Sequence, residues 1–375
     1  MIIVADANIP FANEAFAQFG EVRLAQGREL TTEQLRDAAA LIVRSVTNVN
    51  ELLLKGTPVR FVGTATIGID HLDLTYLAAA GIPWASAAGC NARSVVEWVA
   101  AALAEICVAR GEDWSGRTLG IVGHGNVGSR LAPVARRLGM RVLVNDPPLA
   151  RAGVLEGSVS LRTVLAESDF VTLHVPMIKE GEDRTRHLIG AKELALMKPG
   201  AVLLNAARGA VVNNAEALAK PSGVTLALDV FEGEPRPNRD LVKACAIATP
   251  HIAGYSFEGK VNGTRMMAEA LAAFLGTTSV WEPKFAAPEN AVILPPGREG
   301  MMAVRDAIRG SYDIRADDAR LREGLALDDD AWGRHFDLLR KNYPRRREFA
   351  NYTIAEKFDN PAARELLISA LGFNG

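Results

Sequence analysis

The sequence predicts an α/β protein built from two doubly wound parallel-sheet lobes, with a small α+β segment at the C-terminal end. Three observations carry that prediction. Short β-branched runs alternate with helical patterns in two separate series, which is the rhythm of parallel strands joined by crossover helices. A glycine-rich turn, GHGNVG from Gly123 to Gly128, stands between a strand-like run and a helix-like one. The chain has 375 residues, 49% of them hydrophobic, which is too long for one core and enough for two or three.

The first series has strands near Ile2–Ala5, Glu21–Leu24, Ala40–Val43, Arg60–Gly63 and Ile82–Ala85. A long helix, Ala92 to Arg110, then links the two lobes. Its apolar stretch Val95–Val108 is interrupted by Glu97 and Glu105 and falls short of the ~20 residues that span a bilayer, so it reads as a buried helix. The second series, from Thr118 to about Ile252, places strand ends at Gly123, Asp146, His174, Asn205, Asp229 and Pro250, six in all, as a full dinucleotide fold requires. Ser129–Leu138 carries apolar residues at helical spacing. A helix rich in Ala, Met and Leu from Gly254 to Leu275 is expected to return to the first lobe. Residues 286–375 mix a strand-like NAVILP run, a PPG turn and helices such as Asp329–Asn342, and the run Arg345–Arg347 reads as a solvated face. The predicted organisation is therefore 1–91 with 255–285, then 92–254, then 286–375.

A formal net charge of −2 argues against nucleic acid or an anionic membrane as the main partner. Cys90, Cys107 and Cys245 form neither a C-x-x-C pair nor an even framework, which suits packing roles in a reducing cytoplasm. The opening MIIVADANIP has no basic n-region, so no signal peptide is expected. No cluster with metal-ligand spacing is visible, and no metal is expected.

The glycine turn is the strongest chemical signal. Gly123 permits the tight turn, Gly125 lets a pyrophosphate approach the backbone, and Gly128 lets the helix pack against the strand. The helix N-terminus adds free N–H groups and positive partial charge. Asp146 closes the next strand, where its carboxylate can accept from both ribose hydroxyls and would repel a 2′-phosphate. This favours NAD over NADP, and no basic residue lies closer to Asp146 than Arg141 and Arg151.

Three more motifs follow strand ends, the places where ligands bind in open α/β sheets. NAARG supplies Arg208, whose planar fork suits a carboxylate. DVFEGEP supplies Asp229 and Glu234, and TPHIAG supplies His251, a proton carrier at neutral pH that a carboxylate would orient. His174 reads as a strand-end packing residue, and His124 is expected to point to solvent.

Together these motifs resemble the D-isomer-specific 2-hydroxyacid dehydrogenases, over roughly residues 1 to 280. The resemblance implies two Rossmann-like lobes closing over a cleft. It implies that Arg208 binds the substrate carboxylate and polarises the C2 oxygen, that His251 takes the hydroxyl proton and that Glu234 holds its ring, while hydride passes to the nicotinamide of NAD. The cofactor contacts it implies are Gly123, Gly125, Asn126, Val127, Gly128, Asp146, Val175, Ala206, Asp229 and Gly254. Val175 departs from the family, which often has a threonine there, so only backbone contacts carry over.

A finer likeness lies in LIVRSVT, FVGTATIGIDHLD and HIAGYSFEGKVNGT, which resemble the branch acting on 4-phosphoerythronate in pyridoxal phosphate biosynthesis. It implies a small phosphorylated hydroxy acid as substrate, contacted by Ser45, Thr66 and Tyr255. Arg44 is a physically sensible phosphate partner, and the turn Gly63–Gly68 could add N–H donors. Ordinary turn chemistry also accounts for Thr64 and Thr66, and a packed aromatic for Tyr255. In that branch a C-terminal module builds the dimer, so a cytoplasmic homodimer is expected. Oxidation of 3-phosphoglycerate is the alternative within enzymes. An NAD-sensing binding scaffold is the alternative outside them, disfavoured because a scaffold needs no proton relay.

Overall fold

The computed structural model describes residues 1–219, 223–286, 288, 298–355, 358 and 360–375. The chain divides into two compact units, Met1–Ala92 with Ser256–Ala286, and Arg93–Tyr255 with Ala287–Gly375. The C-terminal segment thus belongs with the second unit.

In the first unit, β1 (Ile2–Asp6), β2 (Glu21–Ala25), β3 (Ala40–Val43), β4 (Phe61–Thr64) and β5 (Trp84–Ser86) form a parallel sheet in the order β2-β1-β3-β4-β5. β3 and β4 are buried along their whole length, as strands covered on both faces must be. Ile3, Ala5 and Ile42 pack with Phe16, Met267 and Leu271, and Val4, Leu41 and Val62 pack with Leu54 and Leu77. Strand β5 begins two residues later than the sequence predicts. Pro83 has no N–H to donate, so the ladder starts after it. Helix Phe257–Phe274 likewise starts after Gly254, because the Ser256 side chain accepts from Gly259 N at 2.9 Å and sets the N-terminus there.

The second unit holds β6 (Thr118–Val122), β7 (Arg141–Asn145), β8 (Phe170–Leu173), β9 (Val202–Asn205), β10 (Thr225–Leu228) and β11 (Ile247–Ala248), a parallel sheet ordered β11-β10-β9-β8-β6-β7. The order reverses beside β6, so a crevice opens at the exits of β6 and β8, and the glycine turn stands there. In the first sheet the reversal lies beside β1, with Arg44 and Ser45 at the exit of the neighbouring β3.

The described C-terminal residues form helices Gly300–Ser311, Ile314–Glu323, Asp329–Lys341 and Pro361–Ser369, with one parallel bridge, Thr353↔Asn374. The NAVILP run and the PPG turn lie outside the described residues. Met301, Val304, Ile308, Phe349 and Leu367 share one core with Val99, Leu103 and Ile106 of helix Ala92–Arg110.

The two acids that interrupt that helix explain how the segment docks. Glu105 meets Arg309 at 2.6 Å, Arg315 at 3.3 Å and Arg305 at 3.6 Å. Glu97 accepts from Phe349 N at 2.8 Å and faces Arg346 at 3.6 Å. Burial pushes Glu97 up to about 8 against the pull of Arg346. This corrects the reading of Arg345–Arg347 as a solvated face, since Arg346 and Arg347 are buried. Arg346 also lies over the Tyr312 ring at 3.8 Å and donates to Ser94 O at 2.6 Å. Removing Arg346 would leave the Glu97 carboxyl buried without that cation and push it higher still.

Candidate active site at the strand exits

The turn after β6 is shaped by what a side chain would strike. Gly123 has φ +94, and a Cβ there would lie 2.6 Å from His174 O; at Gly128 a Cβ would lie 2.1 Å from Gly123 O. Both are closed by backbone. Gly125 has nothing within 4 Å of its Cβ position, so the turn is open at the glycine where the motif leads one to expect a phosphate. Asn126 is exposed beside it, and Val127 precedes the helix Gly128–Arg137.

Asp146 is brought back onto this turn. One carboxylate oxygen accepts from Leu149 N at 3.0 Å and caps a short helix, and the other accepts from His124 N at 2.8 Å. The acid therefore stands at the rim of the glycine turn, as a ribose contact requires. His124, expected to point to solvent, is only partly open to it. It is half-buried with Nδ1 enclosed, and burial lowers its pKa. His174 bonds Thr172 Oγ1 at 3.0 Å, and burial pushes it down to about 3. Val175 turns a methyl toward Gly123, so this wall of the turn is apolar.

After β9, Asn205 clamps the exit: its Oδ1 accepts from Ala207 N at 3.0 Å and its Nδ2 donates to Arg208 O at 3.0 Å. Ala206 and Arg208 are half-buried. The Arg208 guanidinium donates to Ala207 O at 2.8 Å. A Cβ on Gly209 would lie 2.0 Å from the Phe231 carbonyl, so glycine lets this turn press against the loop that carries Glu234.

Glu234 Oε2 meets His251 Nδ1 at 2.7 Å, and Oε1 accepts from Phe231 N at 2.8 Å. Burial pushes Glu234 up, but the charge and hydrogen bond of His251, the Phe231 N–H and Arg340 outweigh it and hold the carboxyl below its ordinary value. His251 has φ 58, left-handed backbone that costs a non-glycine residue about 1 kcal/mol or more. Asp229 holds that turn. Its buried carboxylate accepts from Ile252 N at 2.8 Å and Ala253 N at 2.9 Å, and its carbonyl accepts from His251 N at 2.7 Å. Burial raises Asp229, opposed by His251 and those donors. Gly254 is half-buried in the same turn. Tyr255 follows, meeting Tyr343 edge-on at 5.8 Å.

In the first unit, Arg44 Nε lies 3.4 Å from the buried Asp6, Ser45 is exposed, and Thr66 Oγ1 is 2.8 Å from Thr64 Oγ1, which also bonds His71 at 3.0 Å. Lys260, on the first turn of helix Phe257–Phe274, has its pKa lowered by burial and by the Arg44 charge. Sequence reasoning missed Lys260, Arg340 and a second pair, His187 with Glu232 at 2.6 Å. Lys260, Arg340 and His187 sit in no glycine-marked strand exit, and nothing in the motif DVFEGEP separates Glu232 from Glu234.

The D-isomer specific 2-hydroxyacid dehydrogenase NAD binding domain matches residues 93–253, and a domain of unknown function matches 298–372. The chain is 45% identical to an erythronate-4-phosphate dehydrogenase of Pseudomonas paraeruginosa, covering 99% of each, and 48% identical to one of Salinibacter ruber, covering 94% of this chain and 93% of that one. Among solved structures, D-lactate dehydrogenase from Aquifex aeolicus complexed with NAD and lactic acid superposes with TM-score 0.60 at 26% identity, covering 76% of this chain and all of that one. The TT0316 protein from Thermus thermophilus gives 0.64 at 25%, covering 75% and 99%.

Proposed function

The chain belongs to the D-isomer specific 2-hydroxyacid dehydrogenase family, among the erythronate-4-phosphate dehydrogenases, and we propose that it oxidises 4-phospho-D-erythronate to 2-oxo-3-hydroxy-4-phosphobutanoate in pyridoxal phosphate biosynthesis. NAD supplies the hydride acceptor for C2. The open Gly125 position, the free N–H groups behind it and Asp146 at the rim fit that dinucleotide, with Asn126, Val127, Val175, Ala206, Asp229 and Gly254 as its remaining contacts. Arg208 takes the substrate carboxylate and draws charge onto the C2 oxygen. Arg44, Ser45, Thr66 and Tyr255 contact the rest of the substrate, with Arg44 and Lys260 supplying positive charge for the phosphate.

The observation that carries this reading is the 2.7 Å bond between Glu234 and His251 Nδ1. With Nδ1 occupied, Nε2 at the tip of the ring is the proton acceptor for the C2 hydroxyl. Glu234, kept ionised, stabilises the imidazolium that results. NADH appearance with 4-phosphoerythronate, run beside 3-phosphoglycerate and with 2-oxo acids to recycle retained cofactor, tests it. A higher kcat/KM for 4-phosphoerythronate is expected; preference for 3-phosphoglycerate would reassign the pathway, and NAD binding without turnover of either would favour a scaffold.

We further propose that the chain works in the cytoplasm, which its three free buried cysteines suit, and as a homodimer built by the C-terminal segment. Met302, Leu327 and Leu338 on that segment are 41%, 41% and 51% exposed, apolar side chains that a second copy would cover. Sedimentation at twice the 40.2 kDa chain mass is expected, and a monomer at micromolar concentration would overturn the assignment.

A further inference from the structure

The turn that follows β4 carries a line of side-chain hydrogen bonds whose direction its partners fix. Thr64 closes the strand and is fully buried, with its Oγ1 3.0 Å from His71 Nε2 and 2.8 Å from Thr66 Oγ1. Thr66 Oγ1 reaches on to Gly68 O at 3.4 Å. Backbone bonds hold the frame around this line. Val49 N donates to His71 O at 2.8 Å, Asp73 N donates to Val49 O at 2.8 Å, and Ala87 N donates to Thr66 O at 3.2 Å. The register Val43↔Thr64 sets Arg44 and this turn at neighbouring strand exits. A Cβ on Gly263 would lie 2.7 Å from Ala65 O, so the helix that bears Lys260 presses on the same turn.

A carbonyl only accepts, a hydroxyl has one proton, and a neutral imidazole has one N–H. Burial lowers the pKa of His71 against the pull of Asp70, which favours the neutral ring. Because Gly68 O takes the Thr66 proton, the Thr66 oxygen accepts from Thr64, and the Thr64 oxygen in turn accepts from His71. Nε2 therefore carries the ring proton. The contact to Gly68 O is the longest of the three, so the Thr66 proton is the one that a stronger acceptor can draw away. Ordinary turn chemistry accounts for the two threonines. It does not account for a ring seven residues on, held by its own backbone bond and aimed at the buried hydroxyl from behind.

We propose that His71 is a positioning residue for the substrate: donating from Nε2 through Thr64, it commits the Thr66 hydroxyl to act as a donor toward the substrate phosphate. The proposal deepens the reading in which Arg44 and Thr66 meet a phosphorylated hydroxy acid, and it rests on that reading. Ionised phosphate oxygens only accept, so a hydroxyl fixed as a donor suits them. With Nε2 bare the line would run the other way. Thr66 would then give its proton to Thr64 and turn lone pairs to the anion, which repels it.

The test uses the full chain with NAD bound. In ¹⁵N-histidine-labelled protein the His71 ring signals, assigned by their loss in H71Q, show which nitrogen carries the proton. A protonated Nε2 is expected, and a bare Nε2 overturns the proposal. In kinetics with 4-phosphoerythronate, H71F keeps a ring without the donor and should raise KM about tenfold, as should T66V, which lacks the hydroxyl. The double variant H71F/T66V should match T66V to within about twofold, because His71 acts through Thr66. Additive losses overturn the proposal, since they would mean that the ring only supports the fold. H71Q, whose amide can donate from the same place, should hold KM within about threefold of the wild type. It serves if H71F fails to fold, and a tenfold rise there overturns the proposal too. If 4-phosphoerythronate is not turned over, the Kd of inorganic phosphate replaces KM, and the ring measurement needs no substrate, so failure of the relay is told apart from failure of the substrate reading.

Discussion

Two histidine–glutamate pairs lie in the second unit, and they are nearly the same in outline. His251 meets Glu234 at 2.7 Å, and His187 meets Glu232 at 2.6 Å. Both glutamates come from the loop VFEGEP, and both histidines adopt left-handed backbone, at φ 58 and φ 53. They differ in which ring atom is engaged. Glu234 holds Nδ1 of His251, whereas Glu232 holds Nε2 and so caps the tip of His187. Their settings differ too. His251 sits in a turn pinned by buried Asp229, while the other oxygen of Glu232 accepts from Asn214 N at 3.0 Å, at the start of helix Asn214–Ala219. His187 N donates to Ala210 O at 2.7 Å. In the function proposed above one pair presents a proton carrier; the other joins three loops. The length of an imidazole–carboxylate contact alone therefore does not separate the two pairs.

Alanine at each histidine breaks the comparison most directly. His251→Ala should lower kcat by about 10²–10⁴-fold, the usual worth of a positioned proton acceptor, and leave NAD affinity within about twofold. His187→Ala should keep kcat within about threefold. Steady-state kinetics with an NAD titration separates the two, and equal losses would mean that both rings serve the reaction or that the structural division is mistaken.

The same contrast explains what was legible in the sequence. The strand exits of the second sheet are punctuated by residues with one physical use: glycines closed by backbone at Gly123 and Gly128, an open one at Gly125, and acids at Asp146 and Asp229. Such positions are visible one segment at a time. The C-terminal contribution is not. Arg346 looks like a solvated charge until Glu97, far earlier in the chain, is seen facing it inside the core. Arg340 carries no local mark, because the carboxyl whose value it helps to lower, Glu234, belongs to another loop. The element boundaries that shifted did so for local reasons, Pro83 delaying β5 and the Ser256 cap delaying the helix after it. Pairing across long sequence distance, rather than weak propensity, is what hid the rest.

The smallest expected effect concerns stability, and it sharpens the comparison by pH. The carboxyl of Glu234 is held below its ordinary value in the folded chain. Such a group contributes stability that is fully present above the unfolded carboxyl value and disappears as pH falls through the lowered folded value. Glu234→Gln should therefore flatten the acid side of the stability curve by about 1 kcal/mol, in the window below the ordinary carboxylate value. Glu232→Gln should instead cost about 1 kcal/mol near neutrality through a weakened tie to His187 and Asn214, with kcat/KM unchanged. Denaturant melts of both variants from neutral pH down to the acid limb measure this directly. If Glu234→Gln keeps the wild-type acid slope, the ionised relay carboxylate is absent from the free enzyme, and its charge must be established only when substrate and NAD are bound.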